Sequence, residues 1–124
     1  MIRLVNAQRG KAMQIDTREI SNILVVDMTG RLDTSTSGGA YDEMVRIAEN
    51  SGDKVILNLD KLEFVSSAGL RVILTAAKLL RASSGEFKIC NANGVVKEVL
   101  ETSGFDQLID IHDTEENAVT AFGG

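Results

Sequence analysis

The fold of this chain is decided by one stretch, KVILNLDKLEFVSSAGLRVILTAAKLL, which runs from Lys54 to Leu80. Its first six residues, 54–59, are mostly apolar and include β-branched side chains, which predicts a short buried strand. Further along, apolar residues recur with the spacing of one helical face; they are Leu70, Ile73, Leu74, Ala77 and Leu80. The stretch therefore predicts a strand that is followed by a helix over about 67–83.

Two serines, Ser66 and Ser67, fall where this helix starts. A side-chain oxygen at such a position can cap the free N–H groups of the first turn. The same end of a helix favours an anion, because the unpaired N–H groups and the macrodipole both attract negative charge. A hydroxyl there could carry a phosphate without disrupting the fold. From the residues alone, however, an N-cap worth about 1 kcal/mol is the simpler role for either serine.

Outward from this stretch, strands and helices alternate along the chain. Two segments, 14–20 and 23–29, flank the turn residues Ser21-Asn22 and predict a β-hairpin. The remaining predicted elements are a helix that ends near residue 50, a strand over 87–90, a short helix that closes at 104, a strand over 108–111 and a last helix from 114. This order predicts an α/β fold with a mixed, mainly parallel sheet of four to five strands, flanked by about four helices.

Three polar residues each follow a predicted strand: Asp33, Asp60 and Ser67. Right-handed crossovers place the carboxyl ends of parallel strands, and the loops after them, along one edge of the sheet. Binding chemistry in open α/β sheets gathers at that edge. We therefore expect these three residues to lie near one another.

The second predicted helix also carries apolar residues outside its buried face. Val72 and Leu79 project nearly opposite that face, close to Thr75 and several basic residues. Single exposed apolar residues are common on protein surfaces, and packing of another helix could cover these. Beside the serines at the helix start, they predict a contact surface for a protein partner.

Composition excludes several classes of protein. A chain of 124 residues with 44% hydrophobic and 25% charged residues is typical of a soluble globular domain. No segment approaches the roughly 18 apolar residues that span a bilayer, and a net charge of −5 argues against nucleic-acid binding. The single cysteine, Cys90, excludes an internal disulfide and is typical of a reducing compartment. We therefore predict a cytoplasmic protein with no direct membrane insertion, built as an N-terminal extension over 1–12 and one domain over 13–124.

The sequence offers no set of residues for catalysis or metal binding. The only histidine, His112, falls in the predicted loop before the last helix, and no Gly-x-Ser-x-Gly motif is present. One histidine and one cysteine do not make a zinc site. Asp33 and Asp60 could hold Mg²⁺ beside a phosphate, although loop capping is their simpler role. We predict a protein that is not an enzyme and has no cofactor.

The segment DKLEFVSSAGL over 60–70 resembles the signature of STAS domains, specifically that of the small single-domain anti-anti-sigma factors, or anti-sigma factor antagonists. The segment GRLD over 30–33 is similar to a second landmark of the family, and the resemblance covers roughly residues 14–122. Ser66 stands where Asp is common in the family, and Ala68 stands where a second Ser is common. By this alignment Ser67 is the family's phosphorylated serine, and Ser66 is the less favoured candidate.

The resemblance implies a STAS-type fold and a function in partner switching. Unphosphorylated, such a protein binds a serine-kinase anti-sigma factor that has a histidine-kinase-like ATPase fold. The kinase then phosphorylates Ser67 and is released, and a PP2C-type serine phosphatase resets the cycle. In this interpretation Ser66 and Gly69 shape the loop of the switch, while Asp33, Asp60, Val72, Thr75 and Leu79 contribute to the contact with the partner.

Two other interpretations stay open at this point. Some STAS proteins are structural subunits of a transporter ATPase or of a signalling assembly and do not cycle phosphate. The absence of the usual Asp before Ser67 slightly favours that alternative. The third possibility is a sensor domain for a nucleotide or small ligand, for which the sequence shows no cofactor signature.

Overall fold

The computed structural model of this protein describes residues 13–50 and 52–123, so the predicted extension over 1–12 lies outside the described residues. The strands are β1 (Met13–Ile20), β2 (Ile23–Leu32), β3 (Lys54–Val65), β4 (Glu86–Cys90) and β5 (Asp110–His112). The helices are α1 (Ser37–Asn50), α2 (Ser67–Ala82), α3 (Gly94–Thr102) and α4 (Glu115–Ala121), and Phe105–Gln107 form a 3₁₀ turn. Within this part of the chain, no helix is both long and apolar enough to cross a membrane.

The strands form one sheet in the order β1-β2-β3-β4-β5. β1 and β2 are antiparallel, and the other neighbouring strands are parallel. Ser21 and Asn22 join the first pair with positive φ angles of 48° and 71°, the backbone conformation that a two-residue hairpin turn requires. The predicted fold, a mixed and mainly parallel sheet that opens with a hairpin, is confirmed.

Helices cover both faces of the sheet. Buried residues of α1, α2 and α3 form one core with alternate residues of β3, such as Val55 and Leu57. On the opposite face, Ala118 of α4 packs with Ile56 and Cys90. β3 is therefore buried on both sides, which explains why its first half is an almost continuous apolar run.

β3 is twice as long as the strand predicted over 54–59, because it continues to Val65. β2 also extends, to Leu32, and the two strands stay paired through two register shifts until Leu32 lies opposite Val65. In the extra segment Leu62 and Val65 are buried and Glu63 is exposed. The register shifts interrupt the period of two that a regular strand would show, so the sequence pattern does not reveal this part of β3. The last strand begins at Asp110 instead of 108, because the N–H groups of Leu108 and Ile109 donate back to the Phe105 carbonyl oxygen of the 3₁₀ turn.

Candidate functional site

The junction between β3 and α2 separates the roles of the two serines. Ser66 is the N-cap residue of α2, with φ −99° and ψ 177°, and its Oγ accepts a hydrogen bond from the Gly69 N–H at 3.2 Å. Ser67 is the first residue of the helix and is exposed. Ser66 therefore provides the cap, and the exposed Ser67 hydroxyl makes no hydrogen bond within the described residues.

Close packing holds the first turn of α2 against the strand ends. The Ser66 N–H donates to the Leu32 carbonyl oxygen at 2.9 Å, which continues the β2–β3 pairing by one bond. A Cβ atom placed on Gly69 would lie 2.7 Å from both Cγ and the carbonyl oxygen of Leu32, and 2.9 Å from Cγ2 of Val65. Only glycine fits there without a shift, so Gly69 sets the distance between the helix and the sheet.

Asp33 lies at the same edge, directly after the residue that binds Ser66. Its Oδ1 accepts from the Ser35 hydroxyl at 2.8 Å, from the Ser35 N–H at 3.0 Å and from the Thr36 N–H at 3.2 Å. These bonds, the Ser35 hydroxyl first, lower the pKa of the Asp33 carboxyl below its ordinary value. The carboxylate therefore fixes the loop between β2 and α1 next to the start of α2.

Arg31 is a residue of this edge that the sequence reasoning missed. Its guanidinium lies 4.6 Å from the centre of the Phe64 ring, and its Nε is 3.6 Å from Oδ2 of Asp33. The β2–β3 register places Arg31 opposite Phe64. A prediction that extended both strands beyond residues 29 and 59 could have found this pair.

Asp60 does not join the edge, and the expectation that it follows a strand is wrong. It lies within β3, with up to about 16 Å of strand between it and Val65 at about 3.3 Å per residue. Its N–H donates to Oδ1 of Asn58 at 2.9 Å, and its carbonyl oxygen accepts from Nδ2 of Asn93 at 3.2 Å. Asp60 is exposed near the loop between β4 and α3.

The exposed side of α2 also differs from the prediction. Val72 is only 4% exposed, so its place in a contact surface was predicted wrongly. α2 packs against the sheet and also alongside α1, which buries a wider sector of the helix than a single apolar stripe suggests. Leu79 is 36% exposed and Thr75 is half-buried, so these two do reach the surface.

The one cysteine and the one histidine of the sequence are neighbours in the sheet. Cys90 is buried, and burial raises the pKa of its thiol to about 12, which keeps it protonated. His112 is the last residue of β5 and pairs with Cys90 in the sheet. In residues 13–50 and 52–123, no three His, Cys, Asp or Glu side chains are grouped as metal ligands would be.

Comparison with known proteins defines the family. A model of the STAS domain matches residues 14–118. The chain is 34% identical over 109 residues to the anti-sigma F factor antagonist of Paenibacillus polymyxa, which covers 87% of this chain and 93% of that protein. The chain therefore belongs to the STAS domain family.

Solved structures show how widely the fold is shared. An anti-sigma factor antagonist from Mycobacterium paratuberculosis superposes with a TM-score of 0.82 at 19% identity, over 90% of this chain and 94% of that chain. The Bacillus cell fate determinant SpoIIAA in its phosphorylated form superposes with a TM-score of 0.65 at 21% identity, over 90% of this chain and 99% of that chain. At these identities the likeness establishes the fold alone.

Proposed function

We propose that this chain is a non-enzymatic partner-switching regulator. It binds a serine-kinase anti-sigma factor while Ser67 carries a free hydroxyl, and phosphorylation of Ser67 ends that binding. The observation that supports this proposal most strongly is the division of roles between the serines: Ser66 caps α2, and Ser67 is left exposed at the first helical position.

Phosphorylation requires only one feature of this chain, an accessible hydroxyl on Ser67. The Ser67 Oγ attacks the γ-phosphorus of ATP, the new Oγ–P bond forms as the bond to the β,γ-bridging oxygen breaks, and ADP leaves. The hydroxyl proton passes to a base of the kinase. A PP2C-type phosphatase later cleaves the phosphate with water and restores the hydroxyl.

The phosphate changes the surface much more than it changes the fold. It adds a charge of about −1.5 to −2 at a helix start where N–H groups can receive its oxygens. Ser67 is exposed, so no core residue has to move. The existence of a phosphorylated form of SpoIIAA, which shares this fold, supports the view that the architecture tolerates such a group.

The proposed contact surface surrounds Ser67. It consists of Ser66 and Asp33 at the edge, with Thr75 and Leu79 along the exposed side of α2, while Gly69 acts from below by positioning the helix. Asp60, which is exposed beside the β4–α3 loop, lies at the periphery. The proposed partner has a histidine-kinase-like ATPase fold. In this proposal the chain works in the cytoplasm, binds no nucleic acid and does not insert into the membrane.

The experiment uses each serine-kinase anti-sigma factor encoded in the source genome. The full chain is incubated with the purified kinase and ATP, and the modified residue is mapped by mass spectrometry. We expect one phosphate on Ser67, its loss in Ser67→Ala, and its retention in Ser66→Asn, since asparagine is also a good N-cap and has no hydroxyl.

Two results would count against the proposal. Modification that persists unchanged in Ser67→Ala would remove the assigned role of Ser67. Failure of every kinase to bind, together with stable capture of a transporter ATPase, would favour the structural-subunit alternative.

A further inference from the structure

One basic residue of α2, Arg71, stands one turn beyond Ser67 and is unpaired. Its side chain is exposed, and within the described residues it makes no hydrogen bond or ion pair. By contrast, Arg18, Arg31 and Arg46 each have a carboxylate partner. Arg71 is therefore a cation with its binding capacity unused.

The helix directs Arg71 toward Ser67. Residues four apart lie on the same face of a helix, separated by a rise of about 6 Å. Side chains of a helix lean toward its N-terminus, so the turn that begins with Ser67 is within reach of a guanidinium at position 71. An anion at position i with a cation at i+4 is also the favourable orientation for a pair on a helix surface.

The charges around this pair leave the guanidinium available. The first turn of α2 contains no acidic residue, and its cap, Ser66, is neutral. The Asp33 carboxylate at the same edge is occupied by Ser35, Thr36 and Arg31. A phosphate on Ser67 would therefore be the only anion in that turn.

We propose that Arg71 is the intramolecular counter-ion of the phosphate on Ser67. This inference rests on the proposed phosphorylation of that residue. The planar guanidinium offers two parallel N–H donors to phosphate oxygens, which a lysine does not. Phosphorylation then changes the partner surface twice: it adds a dianion, and it withdraws an exposed cation that the unphosphorylated chain presents to its partner.

The test places phosphoserine at position 67 by genetic code expansion, so it does not depend on any kinase. The second pKa of the phosphate, ordinarily near 6, is measured by ³¹P NMR in the full chain and in Arg71→Gln. Lys78→Gln is the matched control, because Lys78 is exposed on the same face of α2, two turns further from Ser67 than Arg71.

The pairing stabilises the dianion, so its loss raises the pKa of the phosphate. We expect a rise of about 0.3 unit in Arg71→Gln, the size of one ion pair on a helix surface, with partial recovery in Arg71→Lys. Lys78→Gln should change the value by less than about 0.1 unit. An unchanged pKa in Arg71→Gln, or an equal rise in Lys78→Gln, would overturn the assignment while leaving the proposed function intact.

Discussion

Replacing Gly69 by alanine tests whether close packing holds α2 against the strand ends. The added Cβ would meet the Leu32 side chain and carbonyl oxygen at 2.7 Å, and Val65 at 2.9 Å. Ordinary contacts between such atoms are about 3.5 to 4.0 Å, so the start of α2 must move by roughly 1 Å. Overpacking of this kind costs about 1–3 kcal/mol, and the better helix propensity of alanine offsets at most about 1 kcal/mol of it.

We therefore expect Gly69→Ala to lower the free energy of unfolding by about 1–2 kcal/mol, measured by urea denaturation. Gly38→Ala is the matched control, because it is also in the first turn of a helix and a Cβ there would meet nothing within 4 Å. This control should be neutral or slightly stabilising. A Gly69→Ala protein as stable as Gly38→Ala would refute the packing argument, and with it the claim that Gly69 positions Ser67.

Three further predictions concern the cap of α2, the exposed side of α2 and the contact of α4 with the sheet. Ser66→Ala should lower the free energy of unfolding by about 1 kcal/mol, because the Gly69 N–H loses its hydrogen bond to the Ser66 cap, whereas Ser67→Ala should change it by less than about 0.5 kcal/mol. Equal losses in urea denaturation would contradict the assignment of Ser66 as the cap. Val72→Ala should lower the free energy of unfolding by about 2 kcal/mol because Val72 is buried, and Leu79→Ala should lower it much less because Leu79 is exposed. A lower urea midpoint for Leu79→Ala than for Val72→Ala would contradict the burial of Val72. The hydrogen bond from Arg18, aided by Asn58, lowers the pKa of Glu115 below its ordinary value of 4.5, so its contribution to stability is complete above that pH and is lost as the pH falls through the folded-state pKa. Glu115→Gln should therefore flatten the acid limb of the stability–pH curve, and an unchanged acid limb would show that this network does not link α4 to the sheet.

The order of elements could be predicted because it rests on local patterns. The apolar run at Val55–Leu59, the spacing from Leu70 to Leu80 and the turn residues Ser21-Asn22 each specify an element without long-range information. The position of Ser67 at the start of a helix follows from the same patterns. These features brought Asp33 and Ser67 to one edge, as expected.

The predictions that were wrong concern residues whose burial or position in a strand depends on tertiary contacts. Val72 is buried in the core that α1, α2 and the sheet share, and no helical projection of α2 alone shows how much of the helix that core covers. Asp60 lies inside β3 because pairing with β2 extends the strand through a polar segment. The sequence narrowed the cap of α2 to two candidates, Ser66 and Ser67. The choice between them depends on the extended backbone angles of Ser66, which the sequence does not reveal.

The most decisive measurement is the affinity of this chain for the proposed partner, a serine-kinase anti-sigma factor, determined by isothermal titration calorimetry with Ser67 free and with phosphoserine at that position. The proposed switch predicts that the phosphorylated chain binds at least about tenfold more weakly, a difference of about 1.4 kcal/mol, while its unfolding transition stays nearly the same. Equal affinities for the two forms would contradict it.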